Sequence, residues 1–409
     1  MRLRDIEVLV VGNPPPGFGG RYFVFVKVTT DDGVTGWGEV YGATVGPAAM
    51  RAVIEDVFAR HMAGESPEAV ELMFRRVYSA GFSQRPDPTV MGAFSGLEIA
   101  CWDILGKARD RPVHALWGGR TRDRLRAYTY LYPSPGEDAA SFYNDPDASA
   151  ATAARLAAAG FTAVKFDPAG AYTIFGGHQP TLADLDRTEA FCRRIREAVG
   201  DRADMLVGTH GQFTPSGAIR LARRIAPYDP LWFEEPVPPD APLDLAAVAA
   251  QSPVPIATGE RLTTLAEFAT LLRAGGVAGG VGVLQPSLGR VGGLLQARKV
   301  AVLGEAFGAQ VAPHLYAGPI AWAAAIQLAL SIPNFLLLES IGTGGGFHDA
   351  LLSRPVAWEG GYVLAPEGPG LGVEIDEAVA RAHPWTGDRL HLEMSAEPPE
   401  PGRGPFGGG

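Results

Sequence analysis

Amines, imidazoles and carboxylates that follow short apolar runs are the groups able to do chemistry in this chain of 409 residues. Lys165 and Asp167 close TAVKFD, His210 follows MLVGT, Glu234 and Glu235 close LWFEE, and Glu260 follows PIATG. Gln285 and Ser287 follow VGVL, His314 follows QVAP, and Glu339 follows NFLLL. Such groups are costly to bury without partners, so a metal site equipped with acid and base groups is the economical explanation. The matching chemistry is removal of a proton next to a carboxylate. That proton is weakly acidic, and the dianion left behind needs a divalent cation, for which hard oxygen ligands suit Mg2+. The base must be a group whose pKa can fall toward neutrality, as that of a desolvated Lys beside a cation does. Lys occurs only at positions 27, 107, 165 and 299, so Lys165 at a strand end is informative.

The elements that must position these groups alternate. IEVLVV, YFVFVKVTT and GVTGWGEV read as an antiparallel meander with DDG as a tight turn. From Ala48 to about Gly106 the apolar spacing is helical. After Arg126, short apolar strands alternate with amphipathic helices such as Ala148 to Ala159, Leu185 to Val199 and Ala218 to Ile225. Repeated βα units imply parallel strands, here expected to end near Leu131, Phe166, Thr209, Glu235, Thr258, Gln285, Pro313 and Glu339. Eight such strands close a barrel, with chemistry at their carboxyl ends. The expected fold class is therefore α/β, a (β/α)8 TIM-type barrel with an N-terminal α+β capping domain completed by C-terminal residues. The expected bounds are 1–125 for the cap, 126–349 for the barrel, 350–394 for a segment packing back onto the cap, and 395–409 for a disordered Pro- and Gly-rich tail.

Composition narrows the function. A formal charge of -10 argues against a nucleic-acid surface, which needs clustered cations. The longest uncharged run, Leu315 to Leu338, is broken by Pro319, Gln327, Pro333 and Asn334 and reads as buried rather than membrane-spanning. The amino terminus is unlike a signal peptide, which places the protein in the cytoplasm. Cys101 and Cys192 fall in apolar helical patterns and read as buried thiols. The Gly-rich GGVAGGVGVL and IGTGGG read as turns, lacking the Lys of a phosphate loop. His61 and His114 read as structural, and His178 as a loop residue.

Taken in order, GVTGWGE, SGLEIACWDILGKARDRPVHALWGG, AVKFD, LWFEEPVPP, VPIATGERL, LQPSLGRVGG, VAPHLYAGPI and NFLLLES resemble the mandelate racemase/muconate lactonising enzyme type of the enolase superfamily over nearly the whole chain. The resemblance implies Glu234 and Glu260 as metal ligands and Lys165 as base on one face of the substrate. It also implies His314 as acid or base on the opposite face, Glu339 on the substrate carboxylate, and the loop Asn13 to Arg21 as a determinant of specificity. Related proteins often assemble as homo-oligomers.

Three departures shape the expectation. The strand-three ligand falls on Gly208, so a third ligand must come from His210, the first candidate, two residues on in an extended strand end, or from Asp167, the second. A His ligand would admit Mn2+ as well as Mg2+. Ser287 stands where a carboxylate would raise the basicity of His314, and Asp167 stands where a second Lys would lie. Both changes favour a dehydratase or cycloisomerase over a racemase, and the expected function is a lyase or isomerase acting on a sugar acid, foremost by dehydration, with His314 or His210 assisting departure of the β-substituent. Arg21, Tyr172 and Gln212 would suit a hydroxylated substrate. The rivals are a racemase, epimerase or cycloisomerase of the same superfamily, and a catalytically silent binding barrel.

Overall fold

The structure is a computed structural model that describes residues 1–400 except Ala43, Ser83, Pro86, Ala171 and residues 276–279. Strands β1 (Leu3–Gly12), β2 (Tyr22–Thr30) and β3 (Thr35–Val40) form an antiparallel sheet in that order, with the expected turn at Asp31 to Gly33. Strand β2 is buried on both faces, and its period of two sorts the residues. Val24, Val26 and Val28 pack with the helices α1 (Pro47–His61), α2 (Val70–Ser79) and α3 (Pro88–Ala108), while Phe23 and Phe25 join the core of the rest of the molecule. Helix α3 starts where Asp87 accepts from the amides of Thr89 and Val90 and Pro88 presets the first turn. It lies almost on β3. A Cβ on Gly38 would sit 1.8 Å from the carbonyl oxygen of Gly96, so only glycine allows this approach.

Eight parallel strands follow: β4 (Arg124–Tyr130), β5 (Ala163–Phe166), β6 (Asp204–Gly208), β7 (Trp232–Glu234), β8 (Ile256–Thr258), β9 (Val283–Leu284), β10 (Gln310–Val311) and β11 (Leu338–Ser340). They pair in chain order from β4 to β10, and β11 returns to pair with β4. Between β10 and β11 the ladder is reduced to a parallel bridge at Val311 and Phe335, with Leu336 N donating to Val311 O at 2.8 Å. The strand ends lie within two residues of those expected from sequence. Three helices, Pro146–Ala158, Leu182–Val199 and Pro215–Ile225, begin two or three residues earlier than the apolar spacing suggests. Their first turns are set by the caps Asp145, Thr181 and Thr214 rather than by apolar contacts.

The C-terminal segment divides its contacts. The hairpin of β12 (Trp358–Glu359) and β13 (Tyr362–Leu364) pairs with β4, whereas His383 and Trp385 bond to β1 at Gly12 and Val10. Ser395, at the start of the expected tail, exchanges backbone bonds with Tyr172 and Ile174; residues 401–409 of that tail lie outside the described residues, as do residues 276–279 of the first Gly-rich turn. In IGTGGG, Gly344 N closes a turn onto Ile341 O. No helix among the described residues is long and apolar enough to cross a membrane.

Buried acids of the first 110 residues fasten the two parts. Glu39 accepts from Gly318 N and Ala321 N at the start of the helix Pro319–Ser331, and Glu98 accepts from Leu294 N at 2.7 Å and Leu295 N at 3.0 Å at the start of the helix Leu294–Ala306. Helix N-termini favour such negative groups because their first amides have no partner within the helix. Glu98→Ala is therefore expected to lower stability by about 1–3 kcal/mol by stranding two buried amides. Glu98→Gln, which keeps an acceptor, should lose less; urea unfolding of both variants measures the difference.

Candidate active site

The side chains expected at the strand ends do gather. Lys165, Glu234 and Glu339 are essentially closed to solvent, and Lys165 Nζ forms an ion pair with Glu234 Oε1 and lies 3.5 Å from Glu339 Oε1. The other oxygen of Glu234 accepts from Gln285 Nε2 at 2.7 Å and from Trp232 Nε1 at 3.0 Å. Glu339 Oε2 accepts from Leu315 N at 2.6 Å, so the residue after His314 is anchored by the last strand. Glu260 is buried, and its Oε2 has no hydrogen-bond partner. The nearest basic groups are His314 Nε2, 3.9 Å from Glu260 Oε2, and Arg261 Nη2, 3.7 Å from Glu260 Oε1.

Burial dominates the electrostatics, and neighbouring charge decides the exceptions. Burial alone would pull the Lys165 ammonium down, but Glu234 and then Glu339 override it and hold the group well above its usual range. Lys165 is thus charged in this arrangement. Burial lowers His314 to about 3 and His210 to about 4, so both imidazoles are neutral at pH 7. Burial also works against charge on Glu260, yet the surrounding basic groups, His314 and Arg261 foremost, keep it well below the ordinary carboxylate range. Because His314 is itself neutral at pH 7, Arg261 is the standing positive charge beside it. Burial pushes Glu339 up to about 7 and Asp167 up to about 6, the latter against Lys165 and hydrogen bonds from Tyr172 and Tyr130.

The expected strand-three geometry needs correction. Strand β6 ends at Gly208, and His210 has φ of 47°, in the left-handed region. It does not continue an extended strand, so the alternation argument that aimed it at the metal fails. Its ring stands edge-on to Tyr172 with centroids 4.4 Å apart, and its Nδ1 lies 3.7 Å from Asp167 Oδ2. Glu235, the residue after β7, also has a positive φ, of 40°. The two turns lock together where Gly211 N donates to Glu235 O at 2.7 Å and Thr209 Oγ1 donates to the carbonyls of Glu234 and Glu235. Such backbone is uncommon outside glycine and is held by its surroundings.

The donors fit a divalent cation in kind. Glu234 and Glu260 end adjacent strands, offer hard oxygens and are buried, and one oxygen of Glu260 lacks any hydrogen bond. Among the described residues, no three His, Cys, Asp or Glu side chains converge tightly enough to hold an ion as they stand. The positive charge beside Glu234 in this arrangement is the Lys165 ammonium. A cation there would require Glu234 to exchange Lys165 for it.

Other expectations sort by contact. Phe18 of the loop Asn13 to Arg21 stacks on Tyr132 just past β4, with centroids 4.0 Å apart, so the loop reaches the carboxyl end of the strands. Arg21 donates to Leu390 O and pairs with Glu393, and Gln212 accepts from Thr173 N and donates to His210 O. His114 Nδ1 lies 2.8 Å from Gln327 Oε1, a structural contact, and His178 packs on Phe213. Ser287 forms a parallel bridge to His314, leaving that imidazole no carboxylate from β9. Cys101 and Cys192 are buried free thiols. Sequence reasoning missed Arg261, whose guanidinium pairs with both Glu235 and Glu260, although its place directly after Glu260 was a signal. It also missed Trp232, two residues before Glu234 on the same face of β7.

The chain is similar to known proteins over most of its length. Residues 17–118 match the mandelate racemase / muconate lactonizing enzyme N-terminal domain, and residues 148–379 match the enolase C-terminal domain-like family. The chain is 35% identical to the D-galactonate dehydratase of Ralstonia nicotianae over 363 residues, 87% of this chain and 90% of that one. It is 33% identical to the D-xylonate dehydratase of Haloferax volcanii over 406 residues, 96% and 92% of the two chains. The crystal structure of a mandelate racemase/muconate lactonizing enzyme-like protein from Roseovarius sp. TM1035 superposes with a TM-score of 0.94 at 60% identity, covering 98% of this chain and all of that one.

The Lys165 and Glu234 pair is fully desolvated, so each partner is expected to depend on the other. Lys165→Met and Glu234→Gln should each destabilise the metal-free protein, and the double variant should lose less than their sum. A double-mutant cycle on urea unfolding is expected to return a coupling of about 2–3 kcal/mol.

Proposed function

The chain belongs to the mandelate racemase/muconate lactonizing enzyme family of the enolase superfamily, and on that premise we propose that it is a lyase that dehydrates a sugar acid. The observation that carries this is the meeting of Lys165, His210 and His314 with Glu234, Glu260 and Glu339 at the carboxyl ends of the strands. Relatives that act on D-galactonate and D-xylonate support the substrate class, an open-chain acid with hydroxyls at the α and β carbons. Within the same proposal the parallel strands form a closed (β/α)8 barrel under the N-terminal cap. The protein works in the cytoplasm as a homo-oligomer on a small-molecule substrate.

Glu234 and Glu260 would hold Mg2+, or Mn2+, with the third ligand from His210 or Asp167. A bound divalent cation supplies positive charge against the negative charge that builds on the substrate carboxylate. The protein's own groups do the rest. Lys165, once relieved of Glu234 and with its extra proton lost to solvent, removes the α-proton as a free amine; His314 or His210, once it has taken up a proton beside the buried acids, delivers it to the β-hydroxyl, which leaves as water; and the resulting enol becomes a 2-oxo-3-deoxy acid. Glu339 keeps its contact with Leu315 N and limits where the substrate carboxylate can sit beside Lys165. The ion pairs of Lys165 favour a second assignment of the base. If the ammonium persists, it holds the substrate carboxylate, and the neutral His314 takes the α-proton.

With D-galactonate and D-xylonate in D2O and Mg2+, the purified protein is expected to release a 2-oxo acid, seen by proton NMR. Lys165→Ala should cut dehydration by at least 10^3-fold, in keeping with loss of a general base. If Lys165 is the base, that variant also loses α-proton exchange while His314→Asn retains it. If His314 is the base, the exchange pattern reverses. Full activity in both variants, or no turnover across a library of acid sugars, rejects the reading.

A further inference from the structure

We propose that Asp167, at the end of β5, supplies the metal carboxylate that β6 lacks, and that Gly208 is glycine to make room for it. The proposal rests on the metal-dependent reading above and decides between the two third ligands left open there. The geometry is specific. A Cβ built on Gly208 would lie 3.1 Å from Asp167 Cγ and only 2.0 Å from its Oδ1, so a side chain at 208 would force the Asp167 carboxylate to move. The Asp167 carboxylate therefore occupies the volume into which residue 208 would project. Gly208 is in register with Glu234 on the neighbouring parallel strand, so that volume adjoins the first glutamate. Glu260, past the end of the next strand, carries the buried oxygen without a hydrogen bond. Asp167 from the end of β5 would then join Glu234 of β7 and Glu260 past β8 in place of a carboxylate from β6.

His210 is the lesser candidate on the same observations. Its left-handed backbone turns the ring against Tyr172, and its contact with Asp167 at 3.7 Å makes it a positioning residue for that carboxylate. An all-oxygen set also matches a hard cation better than a set with one imidazole, so Mg2+ rather than a softer ion is the preferred occupant.

The test moves the carboxylate back. Mn2+ binding to the metal-free protein, followed by EPR of the free ion and by calorimetry with Mg2+, gives affinities without reference to turnover. The wild type is expected to bind one ion per chain. Asp167→Asn should weaken binding at least tenfold, whereas His210→Ala should change it less than threefold. Gly208→Asp alone should weaken binding, because two carboxylates contend for one volume. The double variant Asp167→Gly with Gly208→Asp should recover affinity to within about threefold of wild type. Thermal melting checks that each variant folds, and the recovery in the double variant cannot come from misfolding. If the wild type binds no ion, the metal-dependent reading falls and this inference with it. If the wild type binds but Asp167→Asn binds equally well, or the double variant stays as weak as Asp167→Asn, only this inference is overturned.

Discussion

Five carboxylates, those of Asp167, Glu234, Glu235, Glu260 and Glu339, lie buried at one end of the parallel strands; Lys165 pairs with Glu234 and Glu339, Arg261 with Glu235 and Glu260, and Asp167 faces the neutral His210. In a low-dielectric interior like charges at this density repel strongly, and each carboxylate resists ionisation unless a positive charge is near. Burial first, and the neighbouring acids after it, displace Asp167, Glu235 and Glu339 upward. Removing one cation from such a group would strand several acids at once. On the proposed function, the same deficit of positive charge would draw a divalent ion and, after it, the carboxylate of a substrate.

Holding these acids together needs a scaffold stiff enough not to relax away from them. The strands provide it through short ladders, and the turns after β6 and β7 through the bonds that tie Gly211 and Thr209 to Glu235. The cap adds a second brace. Glu39 and Glu98 reach helix starts that follow β10 and β9, the strands behind His314 and Gln285, so the docking of the cap and the placing of those residues share the same backbone. This arrangement puts stability and chemistry on common elements, as expected when a site is built where two parts of a chain meet.

Much of this was legible because strand ends are marked twice in sequence, by the loss of apolar alternation and by the arrival of a charged residue. Lys165, Glu234, Glu260, His314 and Glu339 could be placed at one end of the strands from those marks alone. Helix starts were less visible, since Thr181 and Thr214 act through side-chain caps that carry no apolar signal. The left-handed turns at His210 and Glu235 were invisible. Nothing in either residue type demands positive φ, and the bonds that impose it come from the neighbouring turn. An argument from strand alternation fails wherever the strand has already ended.

Asp167 was already the second candidate for the ligand missing at Gly208, but the steric tie between positions 167 and 208 was hidden, for a different reason. Reading the chain strand by strand treats each strand as the owner of its ligand, whereas an ion responds only to where oxygen atoms lie. Parallel strands about 4.8 Å apart bring side chains of adjacent strand ends within reach of one volume. A carboxylate on β5 can then take the place of one on β6, provided the β6 residue gives up its side chain. Gly208 and Asp167 are in that sense one feature written at two positions. Each alone looks like the loss of a functional residue, whereas the 2.0 Å overlap between them is what supports a function moved rather than lost.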